Sequence, residues 1–198
     1  MKHRVIGTLR QWHWISSALC LAGMLLFAVT GITLNHAAGI EAQPQVRTLE
    51  LQMPPELTLL LPEAAQQQRL PSPLHDWLER SLELRLDQKA AEWSADEVYL
   101  GMPKPGSDAW MTLDLQTGEV FFEATDRGWI AYANDLHKGR HSGAAWSWFI
   151  DIFAGVCVIF SLTGLLLLQR QARNRPSTWP VTGLGLLIPV LIALLFIH

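Results

Sequence analysis

Three long stretches with at most one charge constrain this chain more than any other feature. Residues 15–34 contain no charged residue, and as a helix they would extend about 30 Å, the thickness of a bilayer's hydrocarbon core. Residues 146–168 hold one charge, Asp151, and residues 181–197 hold none. A cleaved signal peptide is the alternative for the first stretch, but its apolar region would span only about 7–15 residues. We therefore predict three transmembrane helices.

The placement of charge predicts the orientation of these helices. Residues 1–14 carry three cations and no acid, and residues 169–180 carry three arginines and no acid. Residues 35–145 carry nine Lys and Arg against seventeen Asp and Glu. Because short cationic segments stay on the cytoplasmic side of a membrane, residues 1–14 and 169–180 are expected in the cytoplasm. The acidic segment is then outside, and its charge argues against nucleic-acid binding.

Patterns within the acidic segment predict a small α+β domain. Residues 73–86 place large apolar residues at spacings of three and four, as an amphipathic helix does: Leu74, Trp77, Leu78, Leu82 and Leu86. Short alternating or β-rich runs predict strands at 46–52, 97–102, 110–115 and 119–124. Gly118 lies in the turn between the last two, which we expect to form a hairpin. The segment has no Ser/His/Asp set, no cysteine and no glycine-rich phosphate loop, so the sequence predicts no catalytic site there.

Four short motifs around the first two spans, together with this domain, resemble a known family. The motifs are RQWHWISS, FAVTGITLNH, LHKGRHSG and SLTGLLL. The helix followed by strands, with the hairpin TLDLQTGEVFF, is similar to the PepSY domain, and the four motifs resemble the PepSY-associated transmembrane helix family. The resemblance implies a membrane α-helical fold of three transmembrane helices with an inserted α+β PepSY-like periplasmic domain, in the inner membrane of a bacterium.

Proteins of this family are implicated in moving electrons across the bacterial inner membrane. The resemblance therefore implies either a ferric-siderophore reductase or an electron-transfer subunit that serves a periplasmic flavoprotein. The expected cofactor is non-covalent haem b, because the chain has no C-x-x-C-H motif for covalent attachment. The alternative is a haem-free membrane-anchored accessory protein whose PepSY-like domain binds or inhibits a partner.

Histidines at the outer membrane boundary are the candidate haem ligands. His36 ends the first span, and His137 and His141 precede the second. Antiparallel spans would bring them to one depth, where two imidazoles can ligate both faces of a haem iron. We predict His36 as one axial ligand and His137 or His141 as the other; the resemblance favours His137. Asp135 can orient a ligand by a hydrogen bond. The alternatives are interfacial polar residues or a site for another metal.

His13 is a separate candidate ligand at the inner end of the first span. It lies 23 residues from His36, about 34 Å along a helix, so the two cannot serve one haem. A second, inner haem would need His13 from two chains or a ligand from another protein. The sequence therefore predicts a homodimer or a heteromeric complex, in contact with membrane lipid.

The first two spans also share a short sequence echo. FAVTGITL in the first span matches FSLTGLLL in the second, so Thr30 and Gly31 correspond to Thr163 and Gly164. Small residues allow helices to approach closely in a membrane. We interpret the echo as a helix-packing feature.

Overall fold

Three helices of this protein are long and apolar enough to cross a membrane. The computed structural model describes residues 7–40, 43–87 and 90–197. The long helices are α1 (Leu9–Asn35), α6 (Gly143–Gln171) and α7 (Thr178–Phe196). Each overlaps one of the apolar stretches, so the predicted three-helix membrane fold is confirmed.

The chain divides into two compact units, one helical and one α+β. The helical unit contains the first part of α1, most of α6 and all of α7. The α+β unit is Phe27–Ser147 and includes the end of α1 and the start of α6.

Within the helical unit, α1 and α6 pack against each other in antiparallel fashion. Gly23 of α1 leaves room for Phe153 of α6, whose ring would lie 2.4 Å from a Cβ at the glycine. His13, earlier on α1, contacts Phe160, later on α6. The contacts thus run in opposite directions along the two helices. α7 has no buried residue among those described, as expected of a helix that is apolar on all sides and surrounded by lipid.

The α+β unit is built on a five-stranded antiparallel sheet with strand order β1-β5-β4-β3-β2. The strands are β1 (Gln45–Gln52), β2 (Ala91–Trp93), β3 (Glu97–Gly101), β4 (Ser107–Asp114) and β5 (Glu119–Asp126). The remaining helices are α2 (Pro55–Thr58), α3 (Leu61–Gln67), α4 (Ser72–Leu82) and α5 (Gly128–Lys138). The amphipathic helix and the four predicted strands are confirmed; β2, α2, α3 and α5 were not predicted.

The hydrophobic core lies between one face of the sheet and α4. Leu74, Leu78 and Leu82 recur every four residues along α4 and are almost completely buried, which is the apolar stripe of an amphipathic helix. They belong to one cluster with alternate strand residues such as Met111 and Phe122. Because successive side chains of a strand point to opposite faces, the intervening residues form the other face of the sheet.

Asp114 closes the turn between β4 and β5. Its Oδ1 accepts hydrogen bonds from the backbone N–H groups of Thr117, at 2.7 Å, and Gln116, at 2.8 Å. These two bonds lower the pKa of Asp114 below its ordinary value. The stabilisation is therefore complete above the unfolded pKa and is lost as the pH falls through the lowered folded pKa.

Candidate functional site

His13, on α1, is held by a short motif on α6. Its Nδ1 lies 3.0 Å from Thr163 Oγ1. Its ring stacks on Phe160, with ring centroids 5.0 Å apart and 12° between the planes. A Cβ on Gly164 would lie 3.3 Å from His13 Cε1, so the glycine leaves room for this edge of the imidazole. These contacts hold the side chain through Nδ1 and leave Nε2 outside the hydrogen bond.

His137, on α5, is held in the same way by the end of α1. Its Nδ1 lies 2.7 Å from Thr30 Oγ1, and its ring centroid is 5.0 Å from that of Phe27, with the planes tilted by 46°. A Cβ on Gly31 would lie 3.6 Å from His137 Cε1. The sequence echo is therefore two F-x-x-T-G motifs, at residues 27–31 and 160–164, and each contacts one histidine.

Both Nε2 atoms are open. Within the described residues, neither His13 nor His137 has a hydrogen-bond partner at Nε2, and neither Nε2 is a buried unpaired atom. An imidazole held at Nδ1 with Nε2 open is the usual arrangement of a metal-ligating histidine. Each unit can therefore offer one imidazole Nε2 as a ligand to a metal ion.

His36 follows the last residue of α1 and is exposed. Its Nδ1 lies 3.0 Å from the carbonyl oxygen of Ile32. Since a carbonyl can only accept, Nδ1 carries the proton and donates it. Among the described residues, Nε2 of His36 has no hydrogen-bond partner, and it lies in the same unit as His137.

Two hydrogen bonds set the register between the end of α1 and α5. Thr30 bonds His137, and Thr33 Oγ1 donates to Asn134 Oδ1 at 2.8 Å. The two segments therefore run antiparallel. His137 lies level with Thr30, which precedes His36 by six residues, so the structure does not set the rings of His36 and His137 side by side.

His141 is separated from His137 by the end of α5. Gly139 ends this helix with a φ of +68°, and His141 is exposed with a φ of +54°. The two histidines therefore do not share a helix face. Among the described residues, no group of three His, Cys, Asp or Glu side chains converges on a common point where it could hold a metal ion.

Asp135 does not orient a histidine in this structure. Its buried carboxylate accepts hydrogen bonds from the backbone N–H of Gly106, at 2.9 Å, and from Arg127 Nη2, at 3.2 Å. A Cβ on Gly106 would lie 2.6 Å from Tyr132 Cα, so α5 packs closely on the turn before β4. These contacts fix the helix that carries His137 on the sheet.

His75 is held by a different contact and lies beside the carboxylates of Asp76 and Glu79. It lies on α4, and its Nε2 donates to the carbonyl oxygen of Leu86 at 3.2 Å. It therefore connects the helix to the chain that follows it. This hydrogen bond is made by Nε2, whereas the hydrogen bonds of His13, His36 and His137 are made by Nδ1.

The comparison with protein families covers almost the whole chain. The family model described as PepSY_TM-like matches residues 4–198. The chain belongs to this family. The sequence resemblance is therefore confirmed, and a membrane protein with a PepSY-like domain is established. No curated protein and no solved structure matches the chain.

Sequence reasoning on this PepSY_TM-like protein missed the residues that hold its histidines. These are Phe27, Thr30, Phe160 and Thr163. The echo between the two spans was the signal that pointed to them, but we interpreted it as helix packing. The five-residue motif became informative only because the structure places one histidine against each copy.

Proposed function

We propose that this protein binds non-covalent haem b and moves electrons across the bacterial inner membrane to a periplasmic acceptor. The observation that carries the proposal is the pair of F-x-x-T-G motifs, each of which holds a histidine at Nδ1 and leaves Nε2 open. This donor set suits haem iron, whose axial ligands are commonly imidazole nitrogens in an apolar setting. Bound haem would supply one-electron redox chemistry.

The histidines divide into an outer and an inner set in this proposal. His137 is the outer ligand supported by its contacts, and His36 of the same unit is its proposed partner; haem binding would have to bring the His36 ring opposite that of His137, because the two are offset along α1. His141 is the weaker candidate because no hydrogen bond orients its ring within the described structure. His13 is the inner ligand, and its counterpart would come from a second copy of the chain or from another protein.

The proposed electron acceptor is a cationic protein. The sheet face turned away from α4, here called the open face, carries the carboxylates of Glu50, Glu92, Glu97, Asp108, Asp114, Glu119 and Glu123. Arg47 is the single cation in the five described strands. It lies on the other face of the sheet, the face that also carries Leu49. Tyr99, Trp110 and Phe121 form a row across the open face, with centroid distances of 6.2 and 5.2 Å. Carboxylates steer cations and aromatic faces bind them, whereas an anionic ferric complex would be repelled.

Haem content tests the proposed function directly. Full-length protein purified from haem-replete cells should show a Soret band that shifts on reduction and a low-spin spectrum. Pyridine haemochrome assay should give one outer haem per chain, with one further haem for each pair of chains. Protein from haem-depleted cells is the control. Colourless protein from haem-replete cells would instead support the accessory function, in which the open face binds a partner without electron transfer.

Reporter fusions test the proposed orientation. The link between α6 and α7 should be cytoplasmic, because its arginines Arg173 and Arg175 lie in a short segment without acids. A fluorescent reporter fused after Arg175 should be bright, and alkaline phosphatase at the same position should be inactive. Fusions after Arg140, beyond α5, should give the reverse pattern. The reverse of both results would place the acidic domain in the cytoplasm.

A further inference from the structure

We propose that Thr30 and Thr163 are positioning residues that hold His137 and His13 in the Nδ1–H tautomer, so that each Nε2 lone pair is directed to iron. This inference rests on the proposed haem function and adds to it. In it, the threonine of each F-x-x-T-G motif bonds the histidine that ligates the iron and does not itself bind the iron.

Each threonine hydroxyl has a single hydrogen to donate. Thr163 Oγ1 lies 2.7 Å from the carbonyl oxygen of Ile159 and 3.0 Å from that of Phe160. A carbonyl oxygen can only accept, so the hydroxyl hydrogen is directed to the backbone of its own helix. The oxygen that faces His13 Nδ1 then has only lone pairs to offer. In the proposed arrangement, His13 donates to this oxygen from Nδ1.

Thr30 makes the corresponding contacts in the second motif. Thr30 Oγ1 donates to the carbonyl oxygen of Phe27, at 3.1 Å, and faces His137 Nδ1 at 2.7 Å. His137 therefore also donates from Nδ1. A hydrogen bond at one ring nitrogen decides which nitrogen of a neutral imidazole keeps its lone pair, so this arrangement keeps the lone pair on Nε2.

The recurrence of this contact is a second line of support. The two motifs lie on different helices, α6 and α1, and they hold histidines from different helices, α1 and α5. In both, threonine contacts Nδ1, glycine faces Cε1, and phenylalanine packs on the ring. The shared feature is the orientation of the imidazole.

Nitrogen NMR of the full-length protein without haem tests the tautomers. Protein labelled with ¹⁵N-histidine in micelles should show His13 and His137 protonated at Nδ1, with assignments from single His→Gln variants. His75 is the internal reference, because its bond to the Leu86 carbonyl requires the proton on Nε2. Wild-type protein with His13 and His137 protonated at Nε2 would overturn the inference, whether or not the protein binds haem.

Matched threonine variants test the effect on haem. Thr30→Val and Thr163→Val remove the hydroxyl and keep the shape, and each should lower the haem affinity of its own site about tenfold, as loss of a ligand's hydrogen-bond partner does. Thr30→Ser and Thr163→Ser should restore it. Thr58→Val and Thr182→Val are the controls, because these hydroxyls bond the carbonyl oxygens of Pro54 and Thr178 instead of a histidine or the contact between α1 and α5.

The outcomes separate this inference from the proposed function. If the valine variants shift the histidine towards Nε2 protonation and weaken haem binding at one site, the positioning role is supported. If wild-type protein is colourless but has the predicted tautomers, the haem proposal fails while the threonine contact is supported. If the valine variants change neither the tautomer nor the affinity, the threonines do not position the histidines.

Discussion

Replacing His137 by alanine should remove the outer haem. Its imidazole is held at Nδ1 by Thr30 and against Phe27, so Nε2 is presented in one orientation. Loss of an outer-shell partner alone costs roughly 10–100-fold in metal affinity, and loss of the ligand itself should cost more. We therefore expect His137→Ala to lower outer haem occupancy by more than about tenfold, measured as the loss of low-spin absorbance per chain.

His141→Ala is the matched control for this variant. His141 is exposed and lies beyond the end of α5, so its removal should leave outer haem occupancy unchanged. His36→Ala should behave like His137→Ala if His36 is the second axial ligand. Full occupancy and an unchanged low-spin spectrum in His137→Ala would show that the outer site is elsewhere. The same result in His36→Ala alone would assign the second ligand to another histidine.

Replacing His13 by alanine should remove the inner haem and leave the outer one. The contacts of the His13 ring with Thr163 and Phe160 lie within the helical unit, so the change should leave the contacts of His137 with Thr30 and Phe27 intact. We expect the haem-to-chain ratio to fall by one haem for each pair of chains. Redox titration should then lose one of two components, because two sites in different environments titrate at different potentials.

A shared inner haem also predicts an effect on assembly. If His13 from two chains ligates one iron, the wild-type protein with haem should be dimeric in mild detergent, and His13→Ala should be largely monomeric by light scattering. Trp14→Phe, one residue away at an exposed position, is the control for general disturbance of α1. An unchanged haem-to-chain ratio in His13→Ala would show that His13 does not bind haem and is an interfacial residue that bonds Thr163.

The elements with strong local patterns were predictable from the sequence. Uninterrupted apolar length predicted α1, α6 and α7, and the leucine spacing predicted α4. The missed elements have weak local signals. β2 spans three residues, too short to show a period, and α5 leaves Trp129 and Tyr132 exposed. Because aromatic residues occupy its outward side, α5 does not show the apolar and polar faces expected of a surface helix.

The sequence by itself determined the membrane fold class, the acidic inserted domain and the identity of the candidate histidines. These follow from the length of apolar runs, the sign of local charge and residue type, all of which are local properties. Only the tertiary structure decided which side chains meet these histidines. Thr30 and His137 are 107 residues apart in the chain, and His13 and Thr163 are 150 apart. Such contacts depend on the register between helices. Successive residues of an α-helix are rotated by somewhat more than a quarter turn around the helix axis, so a shift by one residue would direct a different side chain at the histidine.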